Sequence, residues 1–194
     1  MGGGICQVST TLYNAVIRAE LEVTERSGHS MPVSYVDPAA DAAIAGTYKD
    51  LKFVNNTEAP IYIEGSTANK TITFTIYGEE TRPSNRTIKF TSTTLSTTPP
   101  TTQIVADGGQ PIGDIVAANG HTGSVAELYK HVYVNGVEQE VIKMNKTTYQ
   151  MSPRTITVGV AGDPTLSNEL QAAIATQDEA LVNATLASCV ARMQ

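Results

Sequence analysis

The chain has 194 residues, of which 41% are hydrophobic and 16% charged, with a formal net charge of −6 and no tryptophan. That length allows one sizeable domain or two small ones, and an acidic balance without any Lys/Arg-rich run excludes a nucleic-acid binder, which needs a basic face for phosphate. No stretch approaches the roughly 18 consecutive apolar residues that span a bilayer, while abundant Thr and Gly point to strands and turns rather than disorder.

In chain order, Gly2-Gly3-Gly4 makes a loop, and a helix is predicted over about Gln7 to Glu20. Val8, Leu12, Ala15, Val16 and Ala19 fall at helical spacing and form its expected apolar face. Leu21 to Glu25 alternates as a half-buried strand does. Ser27-Gly28-His29-Ser30 reads as a turn, and Val33 to Val36 resumes the strand pattern. Further strands are predicted at Leu51–Val54, Ile61–Glu64 and Thr71–Tyr77, giving one helix packed on a small, mostly antiparallel sheet.

Residues 91–102 carry nine hydroxylic side chains in twelve, with Pro99 and Pro100, and read as a linker or an edge strand. Residues 84–162 are nearly all β in pattern. Their clearest signal is the Asn135-Gly136 pair between alternating arms, since both residues tolerate the positive φ of a type I′ hairpin. A helix is expected from about Leu166 to Met193, with Leu170, Ile174, Leu181 and Ala184 or Leu186 as its apolar stripe. The expected class is α+β, divided into 1–83, a β-rich module at 84–162 and a helical tail at 163–194.

The densest chemistry lies at the start. Cys6 follows three glycines and sits at or just before a helix N-terminus, where unpaired N–H groups and the positive helix end favour a thiolate. Donors of the same loop, around Gly3, Gly4 and Gln7, suit a developing oxyanion. The bland alternative is a small buried apolar residue. A cysteine nucleophile needs a basic partner. Of the three histidines, His29 in its turn is the strongest candidate, His121 lying in a polar turn and His131 on a strand face. The acid that would orient His29 is Asp41 or Asp37, with Asp50 weaker, and the sequence alone does not rank them. Cys6 and Cys189 are too few for a disulfide framework, though a single bridge stays open. No HExxH, CxxC, P-loop or GxGxxG pattern occurs, so no metal or cofactor is implied.

GGGICQVSTTLYNA, then L-E-ER, HS-PVSYV, DA and DLKF-NNT-PI, together about residues 2–80, resemble the second half of a VanW domain. Residues 86–160 more weakly resemble the G-five domain that often follows it, through GHTG, VYVNGVEQE and TYQMSP-TITVG. The resemblance implies a bacterial, extracytoplasmic protein of the cell wall or outer membrane face, from a family associated with glycopeptide resistance and linked to L,D-transpeptidation. There a cysteine thiolate attacks a peptide carbonyl beside a D-centre, and an amine from a neighbouring stem peptide resolves the thioester. Carried over, Cys6 is the nucleophile, His29 its base and Asp41 the acid. The partners implied are peptidoglycan stem peptides and glycan, with residues 84–162 as a wall tether. The competing expectation is a non-catalytic wall-binding or scaffold protein. The chain departs from the family in having Ala39 where a glycine is usual. Because Met1 abuts the motif, a truncated form is expected, with any signal or membrane anchor upstream.

Overall fold

A computed structural model describes residues 3–193, so Gly2 of the glycine loop lies outside the described residues. The elements are one helix, ten strands and two closing helices, an α+β arrangement. Contacts group them into two compact units, and each unit is built from two separate stretches of chain.

The first unit comprises residues 1–97 and 124–150. It begins with α1 (Ile5–Arg18), set off by Gly4 at φ 90, a left-handed conformation that glycine adopts without strain. The helix starts two residues earlier than its periodicity suggests. Its buried face is also turned from the expected stripe. Ser9, Thr10, Tyr13, Val16 and Ile17 are buried, whereas Val8 is 40% exposed. The reason is polar: Ser9 Oγ donates to the Ala42 carbonyl at 2.5 Å, and Thr10 Oγ1 both donates to that oxygen at 3.1 Å and accepts from the Ala42 amide at 3.0 Å. Two hydroxyls outside the expected apolar stripe are thus satisfied inside, which removes the cost of burying them.

Against α1 lie two antiparallel ribbons rather than one sheet. β1 (Glu22–Arg26) pairs with β2 (Leu51–Val54), and β3 (Tyr62–Ala68) pairs with β4 (Thr71–Tyr77). The expected strand at Val33–Val36 does not form. It lies between Pro32 and Pro38, which lack the amide a ladder needs, and it has no partner strand. β5 (Arg86–Thr98), β8 (Gly123–Val134) and β9 (Val137–Tyr149) make a sheet with β8 in the centre, so most of the hydroxyl-rich stretch is edge strand. The β8–β9 hairpin turns at Asn135 (φ 52) and Gly136 (φ 78), the two positive φ values of the expected tight turn. Tyr13, Ile17, Ala39, Ala42, Leu128 and Tyr149 meet in this unit's core.

The second unit comprises residues 98–123 and 151–194. β6 (Thr102–Pro111) lies parallel to β10 (Arg154–Ala161), whose other edge pairs antiparallel with β7 (Ile115–Ala118). The expected single helical tail is two helices, α2 (Pro164–Ala175) and α3 (Glu179–Arg192). Gln177 at φ 58 breaks the run, and Asp178 then caps α3 by accepting from the Ala180 and Leu181 amides. The break re-phases the stripe, so Val182, Leu186 and Cys189 are buried and Leu181 is 45% exposed. These residues pack with Leu166, Leu170 and Val158.

Candidate active site

The site residues gather in the first unit around a buried segment, Ala39 to Ala43, that runs beside α1. Asp41 is its centre, with a fully buried side chain. One carboxylate oxygen accepts the Tyr149 hydroxyl at 2.6 Å and Arg26 Nη2 at 2.8 Å, and the other accepts the His29 amide at 2.7 Å and faces His29 Nδ1 at 2.6 Å. Burial alone would raise this carboxyl. The bonds from Tyr149 and His29, with the Arg26 charge, outweigh it and hold Asp41 below the usual carboxylate range. On the other side of the bond, burial and the Asp41 carboxylate push the Tyr149 phenol well above its ordinary value.

A carboxylate accepts hydrogen bonds and does not donate them, so the proton of neutral His29 sits on Nδ1 and the free lone pair is on Nε2. That nitrogen faces the Tyr35 hydroxyl at 3.3 Å, and the two rings meet edge to face with centroids 6.2 Å apart. Gly28, just before His29, permits a close approach, since a Cβ there would lie 2.6 Å from Thr147 Cγ2.

Cys6 occupies the first turn of α1, half-buried and free of any disulfide, as is the fully buried Cys189. Its thiol donates to the Ile44 carbonyl at 3.5 Å, at the end of the Asp41 segment. Among the described residues no hydrogen bond joins the Cys6 thiol to the His29 ring. Gly3 and Gly4 are exposed in the preceding turn, and the Gln7 amide is engaged by the Gly4 carbonyl at 3.0 Å. The amides of Ile5 and Cys6 precede that bond and have no acceptor within the helix.

Of the alternative acids, Asp37 is exposed, and Asp50 accepts from the Leu51 amide at 2.8 Å. His121 pairs with Ser152 in the second unit, and His131 sits between Glu138 and Thr91 on the β-sheet face. The sequence reading missed Arg26, Tyr35 and Tyr149. Tyr149 is 108 residues from Asp41 along the chain, and no local pattern signals such a pairing. Ala39 has φ 63, in the left-handed region that favours glycine. An alanine so placed carries about 1–2 kcal/mol of backbone strain, and its amide is pinned by the Tyr149 hydroxyl at 2.7 Å.

One unit thus holds both a glycine-led helix carrying a cysteine and a histidine locked on a buried aspartate. Residues 1–77 match the family model described as VanW like protein. The chain is also 40% identical over 80 residues to the uncharacterized protein YoaR of Bacillus subtilis (strain 168), a match covering 41% of this chain and 26% of that protein. The match thus spans about a quarter of the curated relative's length. Among solved structures, the chain is similar to an IgA1 protease G5 domain at 18% identity, over 40% of this chain and 94% of that one, with a TM-score of 0.28. It is likewise similar to HP0197-G5 at 22% identity, over 39% of this chain and 100% of that one, with a TM-score of 0.22.

Proposed function

We propose that this chain is the cysteine-bearing part of a bacterial wall-associated protein that transfers acyl groups between peptidoglycan stem peptides, in the manner of an L,D-transpeptidase. Cys6 is the nucleophile, His29 the base and Asp41 the residue that fixes the His29 tautomer. The thiolate attacks a peptide carbonyl, the amine leaves with a proton from the imidazolium, and a second amine opens the thioester. The observation that supports this reading is the two-point clamp of His29 on a fully buried carboxylate, which leaves Nε2 as a lone pair. A histidine serving only as a solvated turn residue needs no such clamp.

Mass spectrometry after incubation with a stem tetrapeptide tests it. The expected result is a thioester adduct on Cys6, lost in Cys6→Ala and His29→Ala, and discharged by an added D-amino acid. Absence of any adduct on the wild-type protein would reject the enzymatic reading. A second reading, a wall-binding or scaffold protein, is favoured by the thiol's bond to the Ile44 carbonyl, which ties the start of α1 to the buried segment. On that reading Cys6→Ser leaves sedimentation with purified peptidoglycan unchanged and no adduct forms.

A further inference from the structure

A lysine grips the His29 turn from both sides. Lys49 Nζ donates to the Gly28 carbonyl at 2.8 Å and to Ser30 Oγ at 3.3 Å, the residues that flank His29. Both acceptors are neutral. Among the described residues no carboxylate lies within ion-pair distance of this ammonium, although Lys49 is half-buried. The nearby acids are taken: Asp41 by Arg26 and His29, and Asp50 by the Leu51 amide at 2.8 Å and by Lys52 at 3.8 Å. Lys49 has thus given up part of its hydration for two neutral partners, and a third N–H remains to bond. Its position is fixed by a tight turn. The Ala45 amide donates to the Lys49 carbonyl at 3.1 Å, and the Lys49 amide donates to the Ala45 carbonyl at 3.2 Å. Ala45 follows Ile44, whose carbonyl takes the Cys6 thiol, so this turn starts beside the cysteine and ends against the histidine's neighbours.

Lys49, Ser30 and His29 line one polar cavity of about 300 Å³, together with Arg26 and Thr147. Arg26 is neutralised there by Asp41, and Lys146, which also lines the cavity, stands opposite Glu127 in the β8–β9 ladder. Lys49 therefore supplies the cavity's uncompensated charge among the described residues. Ser30 Oγ accepts from Lys49 and so keeps its own proton to donate. An ammonium and a hydroxyl 3.3 Å apart can both donate to a single carboxylate. We propose that Lys49 and Ser30 bind the terminal carboxylate of the residue that leaves, so that the chain acts on a peptide end rather than on an internal bond. This rests on the cysteine reading above and names its substrate. The bond broken in that reaction joins the attacked carbonyl to the nitrogen of the leaving residue. Where that residue is the last of its peptide, its carboxyl carbon is two bonds from this nitrogen, close enough for a cation beside the His29 turn to hold it. An internal residue offers a neutral carbonyl at the same point and gains no ion pair. The carboxylate contact adds no covalent step of its own.

The test compares a stem tetrapeptide with the same peptide carrying a C-terminal amide in place of its carboxylate. Affinities are measured by calorimetric titration on the whole chain carrying Cys6→Ser, which forms no thioester, and adducts on Cys6 are read by mass spectrometry on the parent chain. The acid is expected to bind about tenfold or more tighter than the amide, as a charge-assisted hydrogen bond provides. Lys49→Met keeps the side chain's length and removes its charge, so it brings the acid down to the amide's level, whereas Lys49→Arg keeps the preference. Because Lys49 also steadies the His29 turn, a loss common to both peptides reports that turn, and only the acid-to-amide ratio reports the carboxylate site. Equal binding of the two peptides by the parent overturns the proposal without any variant, and so does a preference that survives Lys49→Met. A Cys6 adduct without such a preference leaves the cysteine reading standing and removes the carboxylate site. A preference that depends on Lys49, with no adduct from either peptide, keeps the carboxylate site and rejects the cysteine reading.

Discussion

Replacing Asp41 by asparagine changes one oxygen to an NH2 group and leaves the volume almost untouched, so its effect isolates charge and hydrogen bonding. Asp41 accepts two donors on each oxygen. An amide can accept on one side only. With its NH2 toward His29, the histidine can switch tautomer, but the His29 backbone N–H is left facing a donor. With its NH2 toward the other pair, the Tyr149 hydroxyl can turn, but Arg26 Nη2 keeps only the longer bond to the Ala39 carbonyl at 3.3 Å. In either arrangement the Arg26 side chain, 8% exposed, loses its counter-charge. Breaking a buried ion pair costs about 3–5 kcal/mol. Arg26 retains the Asp41 carbonyl at 2.6 Å and Thr147 Oγ1 at 2.9 Å, which places Asp41→Asn near the lower end of that range. A loss of about 3 kcal/mol is more than a hundredfold in the folding equilibrium. Denaturant titration followed by tyrosine fluorescence measures it cleanly, because all eight tyrosines lie in residues 1–97 and 124–150, the stretches of the first unit, and there is no tryptophan. The midpoint falls and the slope stays the same. A loss under about 1 kcal/mol would show that Asp41 is not holding this unit together, and the account of the site would go with it.

In the folded protein Cys6 alkylates much faster than Cys189, which is 0% exposed; equal slow labelling of both by peptide mapping would contradict the half-buried setting of Cys6. Acid unfolding followed by tyrosine fluorescence tests the carboxylates. Asp41 is held low, and Glu20 is held at about 2, chiefly by the Arg86 hydrogen bond against the cost of burial, with Lys130 and Arg82 adding to it. Depressed carboxyls contribute stability that is complete above their unfolded values near pH 4 and lost as the pH falls through the folded ones, so the midpoint is flat from pH 7 to 5 and drops below about 4. A maximum near pH 4 would refute that sign. Gly28→Ala drives a Cβ into Thr147, a stiff β-branched side chain that is 6% exposed, and is expected to cost about 1–3 kcal/mol by the same titration.

What the sequence made legible is local. The Asn135-Gly136 hairpin, the helix after the glycines and the alternating strands other than Val33–Val36 follow from short-range rules, and the structure has each of them. The helix's buried face did not follow, because Ser9 and Thr10 are inside only by virtue of the Ala42 backbone more than thirty residues away. The break at Gln177 was equally hidden, since nothing in Thr176-Gln177-Asp178 is a glycine or proline, and the cap becomes evident only once the helix has stopped. At the site, Asp41 could not be ranked above Asp37 from spacing. What separates them is burial and the donors Arg26, His29 and Tyr149, which two distant stretches of the chain supply.

The discontinuous first unit also sets an order of events during synthesis. Asp41 leaves the ribosome 108 residues ahead of Tyr149, its hydrogen-bond donor, and at typical elongation rates that is a delay of roughly 5–20 s. Throughout that interval the carboxylate, Arg26 and the inner side of α1 have no strand β9 to close over them, while the residues of β6 and β7, which belong to the other unit, are made in between. The nascent chain must therefore keep this part of the unit open and unaggregated until the β8–β9 hairpin arrives.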